Sequence, residues 1–246
     1  MKSYGPLAAW YDHLTTDVPY AVFVAFYESI FQQQGKKIHT ILDLACGTGT
    51  LTCLLAERGY EMIAVDASPD MLSVAAKKAQ ASSCAVTPLF LCQDLEELDL
   101  YGTVHCAVSS LDSINYIPPE ALSEIFHRLH LFIEPGGLLI FDINSPERLR
   151  SLAGQAFVDE TDGLLCLWRA ELDEEETVLF YGMDLFTQEE TGLWSREEEE
   201  HLEYIHEPAV LRHCLEQAGF GKITVRQDGP QHELGRMFLI AENGKD

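Results

Sequence analysis

The stretch of the chain that most restricts its fold is TILDLACGTGTLTCLLAERGYEMIAVDASPDML, from Thr40 to Leu72. An apolar segment ends at LDL, a turn with two glycines follows, and a helical spacing of apolar residues then runs to Gly59. A second apolar segment ends at Asp66. This order predicts a buried strand, a tight turn, a helix and a second strand, which together form the βαβ unit of a parallel sheet.

Strand and helix patterns alternate from Thr40 to Asn144. Three segments between Leu164 and His206 are then typical of antiparallel strands, and a helix and two more strands follow Pro208. The third strand, within residues 85–92, contains Pro88, which favours the edge of a sheet or its entry. We therefore predict an α/β fold: a Rossmann-like, doubly wound, mostly parallel seven-stranded sheet with an inserted antiparallel β meander.

The glycine turn and the acids around it indicate the ligand. Gly47 and Gly49 let the backbone approach a ligand beside the free N–H groups of a helix N-terminus. Asp66 ends the next strand, where a carboxylate can accept hydrogen bonds from both hydroxyls of a ribose. A dinucleotide site needs a third glycine where this chain has Thr52, and Asp43 would repel a pyrophosphate. The same acid would attract the ammonium of an amino acid, so S-adenosylmethionine, which joins adenosine to an amino acid, fits both ends.

Five segments, the first of them within the stretch described above, carry a resemblance to a known family. ILDLACGTGTLTCLLAERGYEMIAVDASPDML resembles the first motif and the following acidic strand end of the class I S-adenosylmethionine-dependent methyltransferases. QDL at 93–95 and LFIEPGGLLIFDIN at 131–144 resemble two later segments of that family. YGPLAAWYDHLTTDVPY and LDSINYI are similar to small bacterial methyltransferases of the YqeM-like kind. The resemblance covers nearly the whole chain and implies S-adenosyl-L-methionine as cofactor and S-adenosyl-L-homocysteine as product.

The resemblance also implies which residues hold the cofactor. The glycine turn would surround the methionine part of the cofactor, and Asp66 would hold the ribose. The residues around Met71 and Asp94 would form the pocket for the adenine. Tyr11 and Tyr20 would fold over the methionine end or the substrate; alternatively, both are core aromatics on helix faces. The implied cofactor-binding residues are Tyr11, Tyr20, Asp43, Ala45, Cys46, Gly47, Gly49, Asp66, Ala67, Met71, Asp94, Leu95 and Ser110.

The loop SSLDSINY, residues 109–116, is the expected acceptor site, because the carboxyl ends of parallel strands form the crevice of such sheets. Methyl transfer needs a nucleophile aligned with the carbon–sulfur bond, and a general base only where the acceptor keeps its proton. We predict Asp112 as the catalytic residue, which orients or deprotonates the acceptor. Asn115, Tyr116 and Asp142 are the predicted substrate-binding residues. Asp112 and Asn115 could instead organise the turn, since both residue types favour turns.

The chain is expected to form one methyltransferase domain, residues 1–246. Within it, residues 1–35 would form an N-terminal helical cap, 40–144 the cofactor-binding core, 160–206 the antiparallel insertion, and 208–246 the end of the sheet. The insertion would be a lid over the crevice or the surface of a homodimer, and the pattern leaves both open. Its acidic clusters are expected to be solvated faces and turns; attraction of a charged substrate is the alternative.

The net charge of −24 bears on the partners. Such a charge repels nucleic acid and anionic membranes, so it favours a small-molecule substrate or a basic partner; alternatively, the acidity only aids solubility. Seven cysteines without a C-x-x-C pair, and histidines without paired-ligand spacing, predict no metal site. The chain has neither a long apolar run nor a signal-peptide pattern, so we expect a cytoplasmic protein that does not span a membrane.

Other functions remain open at this point. The cofactor motifs concern binding, so a sensor or interaction module without turnover would carry them too. A methyltransferase that acts on a protein or an RNA is a further alternative. A nicotinamide oxidoreductase is disfavoured by Thr52 and Asp43, which do not suit a dinucleotide.

Overall fold

The computed structural model describes residues 5–230 and 235–244 of the chain. The strands are β1 (Thr40–Leu44), β2 (Glu61–Asp66), β3 (Leu89–Cys92), β4 (Val104–Ser109), β5 (Ile133–Asn144), β6 (Ala156–Thr161), β7 (Leu164–Leu172), β8 (Val178–Gln188), β9 (Trp194–Tyr204), β10 (Phe220–Arg226) and β11 (Arg236–Asn243). The α-helices are α1 (Tyr11–Leu14), α2 (Tyr20–Gln33), α3 (Thr50–Glu57), α4 (Pro69–Ala81), α5 (Leu122–Phe132), α6 (Pro146–Leu152) and α7 (Pro208–Gln217). Short 3₁₀ helices cover Pro6–Ala9, Leu95–Glu97 and Ser113–Tyr116.

The central sheet has seven strands in the order β10-β11-β5-β4-β1-β2-β3. Strands β1 to β5 are parallel to one another, whereas β11 is antiparallel to both β5 and β10. The predicted fold class is therefore confirmed, and β3 with its preceding Pro88 lies at the edge, as expected. Because the chain leaves β1 first towards β2 and later returns to β4 on its other side, a crevice opens at the carboxyl ends of these strands.

Helices cover both faces of this sheet. Phe126 of α5 and Leu215 of α7 belong to the hydrophobic core on one face, and Tyr27 of α2 belongs to the core on the other. Ile41 and Leu42 are consecutive in β1 and contribute to opposite cores, as the two-residue period of a strand requires. Burial on both faces explains why apolar residues of β1 occur on both sides of the strand, at Ile41, Leu42 and Leu44.

A second sheet is antiparallel and has four strands in the order β6-β7-β8-β9. The sequence pattern predicted three of them and missed β6. That strand lies at the edge, and five of its six residues are exposed, so it carries no buried apolar face to reveal it. Helix α6 was missed as well, although Ser145 accepts a hydrogen bond from the backbone N–H of Arg148 and Pro146 occupies the first position.

The antiparallel sheet packs against the N-terminal segment and the loop after β4. Leu7 and Trp10 pack with Leu164 and Met183 in a separate hydrophobic cluster. The side-chain amide of Asn115 donates to the backbone carbonyl of Tyr204, 3.0 Å away. These contacts join the sheet to two segments that contribute residues to the crevice, Tyr11 from the first and Ser113 from the second. Among the described residues, no helix combines the length and apolar character needed to cross a membrane.

Candidate functional site

Two adjacent cavities lie at the carboxyl ends of β1, β2 and β4. The larger has a volume of about 500 Å³ and the smaller about 40 Å³. Of the predicted residues, those on the larger cavity are Tyr11, Ala45, Gly47, Asp66, Ala67, Met71, Asp94, Leu95 and Tyr116. Those on the smaller cavity are Tyr11, Tyr20, Asp43, Ala45, Cys46, Gly47 and Ser110. The fold thus brings together every residue of the predicted cofactor set except Gly49.

The two glycines of the turn serve different purposes. Gly47 has a φ of +54°, and a Cβ built on it would meet nothing within 4 Å, so it faces the open cavity. Gly49 has a φ of +71°, and a Cβ there would lie 2.8 Å from the Cβ of Ala75 and 3.3 Å from the ring of Phe90. A glycine is therefore needed at position 49 for close packing of the turn on α4, not for contact with a ligand.

Asp66 is held by the backbone on both sides of its carboxylate. The N–H of Gly47 donates to Oδ2 and the N–H of Ser68 to Oδ1, each over 2.8 Å. Burial nevertheless raises the pKa of Asp66, and these two hydrogen bonds oppose the shift without cancelling it. Each carboxylate oxygen keeps acceptor capacity, so the group can still receive the two hydroxyls of a ribose.

Asp43 lies at the other end of the turn and borders the smaller cavity. Thr52 donates its hydroxyl to Oδ2 of Asp43 over 2.5 Å, and both side chains are buried. Burial raises the pKa of Asp43 to about 7, and the negative charge of Asp66 adds to the shift. Sequence reasoning noted Thr52 merely as a missing glycine and overlooked its contact with the acid. A cation in the smaller cavity would favour the ionised form of Asp43.

The part of the larger cavity that the family resemblance assigns to adenine combines apolar residues with exposed acids, of which Asp94 belongs to the predicted set. Met71, in the first turn of α4, is buried, and Ala67 and Leu95 line the same cavity. Asp94 caps the following 3₁₀ helix by accepting a hydrogen bond from the N–H of Glu96, 3.0 Å away. A carboxylate held by one local hydrogen bond keeps an oxygen for an exocyclic amine.

Asp112 and Asp142 are joined by a buried arginine that the sequence pattern did not single out. Nη2 of Arg236 lies 2.8 Å from Oδ1 of Asp112, and Nη1 donates to Oδ2 of Asp142. Asp142 also accepts hydrogen bonds from the backbone N–H groups of Leu111 and Asp112, both over 3.0 Å. Leu111 and Asp112 have φ values of 58° and 55°, so this carboxylate holds a turn in a sparsely populated conformation.

The predicted substrate-binding residues occupy different environments. Asn115 is fully buried: it donates to the carbonyl of Tyr204 and accepts from the N–H of Asn144, over 3.0 and 2.9 Å. Asp142 is also fully buried, within the contacts of Arg236. Tyr116 lines the larger cavity, so it is the member of the set that a bound acceptor would meet. The placement of Asn115 and Asp142 favours a structural contribution for both.

Three ionisable side chains of β9 point into the protein, where solvated acids were expected. Glu199, His201 and Glu203 are buried at alternate positions, whereas Glu200 and Leu202 between them are exposed, as is Glu198 before them. The two-residue period of a strand explains the alternation. The sequence REEEEHLEY does not reveal this alternation, because acidic residues occupy both faces of the strand. The expectation that these acids are all solvated was therefore wrong for Glu199 and Glu203.

The buried residues of β9 contact the two segments that border the cavities. Glu199 accepts a hydrogen bond from the N–H of Leu7 over 2.8 Å, and its other oxygen lies 3.1 Å from Nε2 of His201. The ring of His201 meets Tyr116 edge-on, with centroids 6.1 Å apart. Glu203 accepts from the amide of Asn144 over 3.3 Å. Burial raises its pKa to about 8, and the charge of Asp112 contributes.

The cavities suit the cofactor that the family resemblance implies. A volume of about 500 Å³ is in the range of sites for small organic ligands. Asp66 and Asp94 offer acceptors for a ribose and an amine, and Asp43 offers a carboxylate for an ammonium. Within residues 5–230 and 235–244, no three His, Cys, Asp or Glu side chains are grouped to hold a metal ion.

Residues 41–137 match a family described as a methyltransferase domain. The chain is 28% identical over 254 residues to YqeM of Bacillus subtilis (strain 168), a protein provisionally named a methyltransferase, and the match covers 98% of each. A crystal structure of an S-adenosylmethionine-dependent methyltransferase from Clostridium acetobutylicum has a TM-score of 0.85 and 26% identity, covering 98% of this chain and 99% of that one. A sugar N-methyltransferase from Streptoalloteichus sp. has a TM-score of 0.80 at 19% identity, covering 95% and 91%. The likeness extends over nearly the whole chain, in a fold whose ligand cavity lies at the ends of β1 and β2: residues 41–137 form a methyltransferase domain, and the chain as a whole is similar to the YqeM-like class I methyltransferases, with S-adenosylmethionine as its cofactor.

Proposed function

We propose that this enzyme transfers the methyl group to a nitrogen or oxygen atom of a small molecule. The observation that carries the proposal is the composition of the larger cavity. Its wall continues past the cofactor residues along the loop after β4, through Ser113, Tyr116 and Pro118. A protein that only bound the cofactor would not need this additional wall, which could receive an acceptor beside the methionine end.

Two further observations support a small acceptor. The net charge of −24 opposes a nucleic acid partner. The antiparallel sheet packs on the loop after β4 through the contact of Asn115 with Tyr204, and at that position it would limit the room for a large substrate. The fold shared with a sugar N-methyltransferase agrees with a small polar acceptor.

Some residues of the site would bind the cofactor, and others would orient the acceptor. When bound, the cofactor supplies a methyl group on a sulfonium, which is already strongly electrophilic. Asp66 would hold the ribose hydroxyls, and Asp43 would face the ammonium of the methionine part. Ser113 and Tyr116 would align the acceptor and exclude water from the crevice. Asp112 is engaged by Arg236, so we assign it the orientation of the acceptor and its loop rather than the removal of a proton.

A calorimetric titration of the wild-type protein tests cofactor binding. We expect S-adenosylmethionine and S-adenosylhomocysteine to bind and NAD not to bind. Asp66→Asn should weaken the binding of S-adenosylhomocysteine by about 1.5–3 kcal/mol, since hydrogen bonds to a charged acceptor are lost. Asp99→Asn, a change at an exposed acid, should leave the affinity unchanged.

The acceptor class is tested next by measuring release of S-adenosylhomocysteine with panels of small amines, amino sugars, phenols, peptides and RNA. Turnover confined to small molecules would support the proposal. Turnover confined to peptides or RNA would reject it. Tight cofactor binding without turnover on any panel would favour a sensor role instead.

A further inference from the structure

The N-terminal segment is tied to α4 by an ion pair beside the glycine turn. Asp12 lies in α1, and Lys78 lies near the end of α4. The ammonium of Lys78 is 2.8 Å from Oδ2 of Asp12 and 2.9 Å from Oδ1. The side chain of Lys78 is 26% exposed and that of Asp12 is 40% exposed, so solvent and salt ions can reach the pair.

Two hydroxyls of the turn complete this arrangement. Thr48 donates to Oδ1 of Asp12 over 2.6 Å. Lys78 donates to the hydroxyls of Thr50 and Thr48 over 2.5 and 3.2 Å. We call Asp12, Thr48, Thr50 and Lys78 the clasp. Burial opposes ionisation of Asp12, but the hydrogen bonds and charge of Lys78 and the hydroxyl of Thr48 outweigh it and lower the pKa of the carboxyl.

The clasp adjoins both cavities. Thr48 and Thr50 line the smaller one, and Tyr11, next to Asp12 in the chain, lines both. The clasp therefore connects α1, the glycine turn and α4, and the first two of these segments line the smaller cavity. If α1 moved away from the turn, Tyr11 would leave the wall that the two cavities share.

We propose that Asp12 and Lys78 are positioning residues of the cofactor site, which hold α1 across the glycine turn and so set how long the cofactor stays bound. The inference rests on the proposed function, because it requires S-adenosylmethionine and its product in these cavities. Asp12 belongs to α1, and both residues of the pair contact hydroxyls at the glycine turn. The pair therefore acts on the ligand through Tyr11, Thr48 and Thr50. A partly exposed ion pair makes a modest contribution that salt reduces, which suits a contact that must open in every catalytic cycle.

The test is the dissociation rate of S-adenosylhomocysteine, followed by rapid mixing with an excess of competitor. Lys78→Met and Asp12→Asn should each speed dissociation about three- to tenfold, and the double variant should dissociate no faster than either. Association should change less than dissociation. Lys77→Met removes the neighbouring exposed lysine and should behave like the wild type. Added salt should speed dissociation from the wild type but not from the double variant.

The outcomes separate this inference from the proposed function. If the wild type binds no S-adenosylhomocysteine, the proposed function fails. If the wild type binds it and the dissociation rates of Lys78→Met and Asp12→Asn match that of Lys77→Met, the clasp inference fails. Multiplying single-variant effects in the double variant would also overturn it, because the residues would then act independently. Thermal unfolding of each variant identifies a fold defect, and Asp12→Asn tests the pair if Lys78→Met does not fold.

Discussion

The proposed cofactor side and the proposed acceptor side of the crevice hold their acids in different ways. On the cofactor side, Asp66 is bound by the N–H groups of Gly47 and Ser68, and Asp43 is bound by Thr52. These partners belong to the same βαβ unit. On the acceptor side the partners come from distant parts of the chain, as Arg236 does for Asp112 and Asp142, and β9 does for the loop after β4.

This difference in where the partners come from determines how sequence changes would affect each site. A cofactor site built from one βαβ unit forms wherever that unit folds, so it can be shared by enzymes with different acceptors. An acceptor site that depends on the inserted sheet and on β11 changes when those segments change. The difference between the two sides also predicts different effects of mutation. Changes on the cofactor side should reduce binding, whereas changes on the acceptor side should reduce stability as well.

The largest expected effect is that of Arg236→Met. The substitution leaves the fully buried Asp142 and the partly exposed Asp112 without their cation, which should reduce the free energy of unfolding by about 3–5 kcal/mol. Urea denaturation at neutral pH measures the loss. Arg150→Met breaks the exposed pair with Glu207 and should cost about 0–1 kcal/mol. Equal losses in the two variants would remove the distinction between a buried network and a surface pair.

A smaller effect is expected for Glu203→Gln, and it depends on pH. The folded protein raises the pKa of Glu203 to about 8, mainly by burial, so it holds a proton that the unfolded chain releases at lower pH. This contribution to stability is complete below the ordinary pKa of a glutamate, near 4.5, and is lost as the pH rises through 8. Glutamine does not ionise, so between about pH 6 and about pH 9 the variant should lose about 1–3 kcal/mol less than the wild type.

Denaturant unfolding at several pH values checks this expectation. Glu200→Gln is the matched control, because that side chain is exposed on the other face of β9. It should keep the pH slope of the wild type. If Glu203→Gln keeps that slope too, the carboxyl of Glu203 is ionised at neutral pH and the acceptor side is more polar than its burial implies.

The smallest effect is a pH dependence of cofactor affinity at Asp43. Its pKa is raised to about 7 by burial, and a bound ammonium would favour the ionised form. The affinity for S-adenosylhomocysteine should therefore rise up to about tenfold between about pH 6 and about pH 8. Asp43→Asn should bind more weakly at the upper end and show a flatter profile in calorimetry. A wild-type profile as flat as that of the variant would place the ammonium elsewhere.

The acceptor side shows where sequence reasoning stopped. Asp112 was predicted from its position after a strand, but its partner Arg236 lies in β11, far along the chain. The burial of Glu199 and Glu203 was hidden because neighbouring glutamates occupy the other face of β9. Residue type and spacing do not reveal which face of an acidic strand meets the core.

The sequence by itself determined the α/β class, the order of strands and helices up to Asn144, and the glycine turn with Asp43 and Asp66 around it. These features depend on the period of apolar residues and on strand ends, which are local properties of the chain. The tertiary structure alone decided that Gly49 packs on Ala75 and that Arg236 joins two acids. It also decided that Lys78 reaches Asp12. These contacts join segments that are remote in sequence, and a residue's burial and partners are set when those segments pack together.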